Sequence, residues 1–445
     1  MSNQGLTTQL KRVLTFKDLF LNCVGWIIGA GVMTMLPAGI GLTGRSIPIA
    51  FIIATVIMVL LPLPMCFIAG TVRLRGGTYT IMSMLGGKTL TGITSIVLTL
   101  QNITFVTLGL SFASYWISLF GWGNEKVIAV IILTLFYVLN LFGIDKFAKV
   151  QNLIVAILVI ALAAYIACGV GHVDPDYFNT ASAQWMTGGM SGLLQAGALM
   201  TYCLGGATGA FMLSGQAKNP TRDVPLSVIL STLSVAVLYA IIGIITAGVL
   251  PVEQVANQNL AVIAEVIMSR PLYVAFIICG AGFAICSTLN AKFAAAMPNI
   301  LQAIDDGWFP KGLGKLNRFK APWVLLTILW ALGVVCIVGD LSLSAAGSMS
   351  LILGSFISIF LNIMTIRLPK VCPEAWAKSR FHCSQPVLVL VSVLGAAAAT
   401  FNVVMNMSTL DTKALILNIA FLVVTLVYAL WRGKKVEIIP SYEAD

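Results

Sequence analysis

Gly25, Gly29, Gly31, Pro37 and Gly39 interrupt an apolar run from Leu19 to Ile40, and Leu204, Gly205, Gly206 and Ala207 interrupt a second run near mid-chain. In hydrocarbon an unpaired backbone N–H or C=O is costly, so a helix breaks at membrane depth only where the freed groups line a cavity or are buried in protein. The N–H groups where the first helix restarts, at Ile28, Gly29, Ala30 and Gly31, together with the positive end of the new half-helix, suit a carboxylate. The carbonyls freed from Tyr202 to Gly205 suit an ammonium group. Together the two breaks would hold the zwitterionic head of an amino acid. The competing reading is that these glycines serve close helix packing. Two interrupted helices at corresponding positions of two halves point to a secondary transporter with its site at the membrane midplane.

Lys292 is the third feature able to do chemistry. It is the single Lys or Arg inside an apolar span, and the 16 acidic residues all fall in loops, tails or helix ends. A lone charge at membrane depth is expensive and marks function by default. Three roles fit: replacing or competing with a coupling cation, carrying a titrating proton after desolvation, or binding an acidic substrate side chain. The structural alternative is a lysine bonded to backbone carbonyls or snorkelling through a water-filled vestibule. Its closeness in sequence to Ser287 and Thr288 favours coupling. Gln101, Asn102 and Thr104 add candidate polar contacts, with interhelical hydrogen bonding as their other role.

Other chemistries are poorly supplied. The only histidines, His172 and His382, lie in loops, and the nine cysteines show no C-x-x-C spacing. Seven of them sit in apolar spans and two, Cys372 and Cys383, in a loop, so they read as small buried hydrophobes. An enzyme is not expected, nor any cofactor beyond a sodium ion or proton as coupling ion.

The elements that must position these residues are membrane helices. The chain has 445 residues, 59% hydrophobic and only 9% charged, far below the roughly 25% charged of soluble domains. Stretches of about 20 apolar residues, the length that spans a bilayer, are read at 18–41, 48–72, 91–119, 127–144, 150–170, 190–215, 226–250, 272–300, 322–339, 343–366, 386–407 and 413–431. The basic stretch Lys11 to Lys17 leads into a full-length span, so no cleaved signal is expected. With a cytoplasmic N-terminus, 21 of the 26 Lys and Arg fall on the cytoplasmic side, only Arg45, Lys126, Arg270 and Lys413 fall outside, and Lys292 is left over. That asymmetry predicts a multi-pass plasma (inner) membrane protein with both termini cytoplasmic. It also assigns the net charge of +10 to topology and anionic lipid rather than to nucleic acid.

The two breaks then suggest the internal plan. The expected fold is an all-α membrane protein of about 12 transmembrane helices, a 5+5 inverted repeat plus two C-terminal helices. Residues 1–17 form a cytoplasmic tail, 18–170 the first repeat, 190–368 the second, 386–431 the last two spans and 432–445 a cytoplasmic tail. An odd number of spans per unit inverts the second unit, which generates the pseudo-two-fold axis.

Four motifs carry a family resemblance. Gly25-Trp26-Ile27-Ile28-Gly29-Ala30-Gly31 with Leu36-Pro37-Ala38 resembles the first-helix motif of the amino acid–polyamine–organocation (APC) superfamily. Gly76-Gly77-Thr78-Tyr79, Lys218-Asn219-Pro220-Thr221-Arg222-Asp223-Val224-Pro225 and Asp305-Asp306-Gly307-Trp308-Phe309-Pro310 are similar to that superfamily's cytoplasmic motifs, in order and at the right loops. The resemblance implies a LeuT-like fold of ten core helices and an amino acid or related amine as substrate, moved by alternating access in symport or exchange. It implies a gating role for Tyr202, whose bland alternative is packing, and a substrate-facing position for Thr208. Relatives selective for cationic amino acids carry an acidic residue at Thr208, which argues against cationic substrates here. Ala284-Ile285-Cys286-Ser287-Thr288 resembles the element that holds sodium in coupled members of this fold, with Gly25 and Ile28 as partner carbonyls; against it, such hydroxyls often bond to their own helix. Some proton-coupled relatives carry a lysine on span five, and Leu153 to Val170 has none. A non-transporting, substrate-sensing membrane protein of the same fold is the alternative function, disfavoured by loops too short to hold an output module.

Overall fold

Helix occupies every apolar stretch read from the sequence, because only helices satisfy their own backbone polar groups segment by segment in a low-dielectric medium. A computed structural model describes residues 14–74, 77–142, 147–214, 217–319, 321–438 and 442–444. Lys11, Arg12, Arg75, Gly76, Lys146 and Lys320 lie outside the described residues, as does most of the 1–17 tail. The first interrupted helix is α1 (Phe16–Ile27) and α2 (Ala30–Thr43); α3 (Ile47–Leu60) and α4 (Leu63–Ala69) return, with Pro62 and Pro64 at the bend. Next come α5 (Gly77–Leu85), α6 (Gly87–Leu100), a 3₁₀ turn (Gln101–Ile103), α7 (Thr104–Phe120), α8 (Glu125–Leu141) and α9 (Phe147–Gly169).

The second interrupted helix is α10 (Gly189–Leu204), a 3₁₀ turn (Ala207–Gly209) and α11 (Ala210–Leu213), followed by α12 (Pro220–Gly248). The short helices α13 (Val252–Val255) and α14 (Ala261–Ile267) precede a long helix made of α15 (Arg270–Ala275), a π-helical stretch (Phe276–Gly282) and α16 (Phe283–Asp305). The chain closes with α17 (Trp323–Val338), α18 (Leu343–Thr365), the short α19 (Leu368–Val371) and α20 (Pro373–Lys378), α21 (Gln385–Ser408) and α22 (Thr412–Arg432).

Local chemistry fixes where several helices begin. The Asn124, Ser342 and Asp411 side chains each accept from a backbone N–H in the first turn of α8, α18 and α22, and Pro220 takes the first position of α12, where no N–H is needed. Among the described residues, eight helices are long and apolar enough to cross a membrane. The first break leaves α1 at 12 residues, too short to cross by itself. Large hydrophobics such as Ile131, Ile160, Val237, Val335, Leu390 and Val424 stand exposed on the outer helices, which is the surface that lipid, not water, would cover.

Both described chain ends meet at one end of the bundle. β1 (Val72–Leu74) pairs antiparallel with β2 (Tyr442–Ala444), Leu74 N–H donates to Ser214 Oγ, and Lys218 N–H donates to the Leu14 carbonyl. That convergence requires an even number of crossings. The motifs quoted above meet there too: Tyr79 donates to the Asp306 carboxylate at 2.5 Å, while Tyr428 and Arg432 of α22 donate to the carbonyls of Trp308 and Gly307. At the opposite end Arg45 pairs with Asp174 at 2.7 Å. The Asp176 N–H and then this guanidinium hold the Asp174 carboxyl below the usual carboxylate range.

If the excess of Lys and Arg sets orientation, protease-sensitive tags placed at each terminus are both expected to survive treatment of intact cells and to be cleaved in inverted membrane vesicles. Cleavage of either tag on intact cells would overturn that orientation.

Candidate functional site

α1 stops at Ile27 and α2 starts at Ala30, with Gly29 between them in extended backbone (φ −140°, ψ −149°). Glycine is required here by crowding: a Cβ on Gly29 would lie 2.1 Å from Thr288 Oγ1 of α16. On Gly31 it would lie 2.8 Å from the Cα of Cys203 and 3.2 Å from the Tyr202 carbonyl oxygen. The first break is therefore packed directly on the second. α10 ends at Leu204, and Gly206 takes φ +134°, a conformation open to glycine, with the Trp26 carbonyl 2.6 Å from a Cβ placed there. The Trp26 ring fills the notch at Gly209, where a Cβ would lie 1.8 Å from it.

The broken ends are held by partners from other helices. Fully buried Tyr239 of α12 donates to the Ile27 carbonyl at 3.0 Å, and Cys23 Sγ donates to the Ala207 carbonyl at 3.6 Å. Tyr115 of α7 donates to the Met33 carbonyl at 2.6 Å. Each bond satisfies an acceptor that a continuous helix would have satisfied internally, or ties a half-helix to a neighbour.

Between the breaks lies a cavity of about 310 Å³, within the usual small-molecule range. Its wall includes Trp26, Ile27, Gly29, Gly31, Gly205 and Gly206 from the breaks. The Tyr202 phenol shares a 2.7 Å hydrogen bond with Thr104 Oγ1 of α7 and so bridges the space from α10. Opposite, Ser350 of α18 donates to the Gln101 carbonyl, and Asn402 of α21 donates to Thr201 and Ser355. Asn102 gives its amide nitrogen to the carbonyls of Leu98 and Thr99, leaving its side-chain oxygen for the cavity.

The residues singled out in the sequence divide in two. Gly29, Gly31, Asn102, Tyr202, Gly205, Thr208, Thr288 and Lys292 all line this cavity. Gly25, Ile28, Leu204, Ala284 and Ser287 are buried but not among its lining residues, and the side chain of Ala30 is outside the described atoms. Thr288 Oγ1 donates to the Ala284 carbonyl at 2.8 Å, within its own helix. Its two lone pairs remain beside the break at Gly29. Trp26, Ser350, Ser355 and Asn402 line the cavity without having been singled out as site residues, as does Thr201; Tyr239 supports it from behind. Trp26 had one available signal, a large aromatic set between glycines. The others had none, since nothing local marks a residue that acts 200 positions away.

Two broken helices packed on each other around a small-molecule cavity, within a bundle of long apolar helices, define a multi-span membrane transporter of the permease type. The chain belongs to the amino acid permease family, whose model matches residues 14–428. It is 25% identical to the branched-chain amino acid permease of Bacillus subtilis over 71% of this chain and 72% of that protein. It is 23% identical to the methylthioribose transporter of the same organism over 89% and 88%. A shorter match, 25% identical over 44% of this chain and 33% of the relative, is to the vacuolar cationic amino acid transporter 4 of Arabidopsis thaliana.

Gly31→Leu would drive its side chain into the α10 backbone at the centre of the site. Substrate binding by this variant is expected to be lost, below about 1% of wild type, in the protein purified in detergent. Wild-type affinity in the variant, measured by isothermal calorimetry or scintillation proximity, would remove this break from the site.

Proposed function

We propose that the protein is a secondary active transporter that carries an amino acid across the plasma membrane by alternating access. The observation that carries this reading is the cavity at the junction of the two breaks. The half-helix that begins at Ala30 presents its N-terminus to a carboxylate, and the end of α10 offers carbonyl oxygen at Tyr202 and Gly205 to an ammonium group. In this reading residues 18–170 and 190–368 are the two inverted units of a fold with about 12 spans, and the breaks are their equivalent positions.

The Tyr202–Thr104 bond serves as the outer gate in its closed position. Beyond it the cavity continues past Met58, Met65, Thr78, Met212 and Ser358 toward the bundle end that carries β1 and both described chain ends. A separate pocket of about 190 Å³, lined by Ala38, Leu42, Leu199 and Ser348 among others, lies toward the opposite ends of the same helices. In this reading the cavity opens toward the cytoplasm and Tyr202 shuts it toward the outside. Closing an aromatic over the ligand excludes water and strengthens the polar contacts beneath it.

Sodium is the coupling ion we propose, because the lone pairs of Thr288 Oγ1 stand against the first break. Ser287 and the carbonyls of Ala284, Gly25 and Ile28 complete an all-oxygen donor set of the kind a hard cation takes. A bound cation would supply positive charge beside the carboxylate end of the cargo. The branched-chain, methylthioribose and cationic amino acid transporters among the relatives span neutral and charged cargo. A cationic cargo is disfavoured because no carboxylate lines the cavity among the described residues.

Reconstituted protein is expected to accumulate labelled amino acids in liposomes, faster with an inward sodium gradient, and Thr288→Ala is expected to remove the sodium dependence. Absence of uptake for every amino acid tested would overturn the function; uptake indifferent to sodium would overturn the coupling alone. Tyr202→Ala should raise KM by roughly tenfold, a loss of about 1.4 kcal/mol, and unaltered kinetics would remove Tyr202 from the gate.

A further inference from the structure

Lys292 is the one charged side chain in the cavity wall among the described residues, and no Asp or Glu faces it from any of the helices that line the space. It makes no ion pair or hydrogen bond among the described residues, and it stands one turn beyond Thr288 on the cavity face of α16, followed on that face by Ala296 and Asn299. The two helix breaks already provide for both ends of a zwitterion. Lys292 is therefore a third charge, which a zwitterionic head leaves unanswered.

The other polar side chains of the wall are neutral. Gln101 presses its side-chain amide toward α18, where Gly354 has no side chain and a Cβ would lie 2.4 Å from the amide nitrogen; this amide and the Thr208 hydroxyl both line the cavity. Closing the gate over an overall neutral amino acid would seal in an uncompensated cation, and over a cationic one would add a like charge in low dielectric. A cargo with one extra negative charge gives Lys292 a direct partner, since a buried ion is tolerated when it is paired and hydrogen-bonded.

We propose that Lys292 receives a second carboxylate, so that the preferred cargo is an amino acid with an acidic side chain. This rests on the amino acid transporter reading above and narrows its substrate class. Lys292 faces the cavity one turn beyond Thr288 and brings a positive charge where Thr288 brings a neutral oxygen, so it suits an anionic group of the cargo rather than a coupling cation. The same positive charge could be answered by a small anion from solution, such as chloride, and the test separates the two sources.

The full chain, reconstituted in liposomes, is assayed for uptake of labelled glutamate, aspartate, leucine and lysine in chloride and in gluconate media. Wild type is expected to favour glutamate or aspartate over leucine at least tenfold in kcat/KM, in either medium. Lys292→Gln is expected to lower that ratio at least tenfold, and Lys292→Arg to keep it above one. Leucine uptake without acidic uptake by wild type overturns this proposal while leaving the transporter reading intact, whereas no uptake of any amino acid overturns both. Leucine uptake that depends on chloride, with no acidic preference, assigns the anion to solution and overturns the cargo version. Should Lys292→Gln fail to fold, competition by glutamate against leucine in wild type decides the question alone: its absence is the overturning result.

Discussion

The rest of this structure depends on the cost of an unpaired backbone group in a medium that offers no water. Two helices are broken within apolar segments, and the surrounding helices supply partners for the freed groups. Tyr239 reaches the Ile27 carbonyl, Cys23 reaches the Ala207 carbonyl, and the breaks pack so closely that Gly29, Gly31, Gly206 and Gly209 have no room for a side chain. Gly29, Gly31, Gly205 and Gly206 of the two breaks line the cavity. Architecture thus follows from one constraint: backbone that cannot be satisfied within its own helix is met by neighbouring helices or borders the cavity.

Electrostatics sharpens the site further. The cavity is lined mostly by apolar side chains and neutral dipoles, so one lysine dominates its field. At the bundle ends, where charges meet solvent or headgroups, Arg45–Asp174 and Lys126–Asp340 are ordinary ion pairs. Among the described residues Lys292 has no such ion pair, and that separates it from the charges at the bundle ends.

The end of the bundle that gathers β1, β2, the start of α5 and the 305–310 loop is tied by side chains as well as by strand pairing. Tyr79 to Asp306, and Tyr428 and Arg432 to the carbonyls of Trp308 and Gly307, join α5, α16 and α22 across long stretches of sequence. The first and last described residues of the chain are thereby gathered at the same end of the bundle as the start of α5 and the end of α16.

The sequence alone determined the membrane class, the apolar stretches, the two breaks and the family, because each is written in local composition: a run of about 20 apolar residues, a cluster of glycines, a motif at a loop. It also marked Gly29, Gly31, Asn102, Tyr202, Gly205, Thr208, Thr288 and Lys292, which the fold brings around one cavity. Which partners complete that cavity was decided by tertiary structure alone. Tyr239 meets Ile27 across 212 positions, and Asn402 meets Thr201 across 201. Neighbouring Ile241 and Ile242 make the reason concrete: identical side chains, one 40% exposed toward the lipid side and the other fully buried. Lipid is as apolar as a protein core, so polarity does not mark which face of a membrane helix turns inward, and the rotation that aims each side chain is set by packing between helices far apart in sequence.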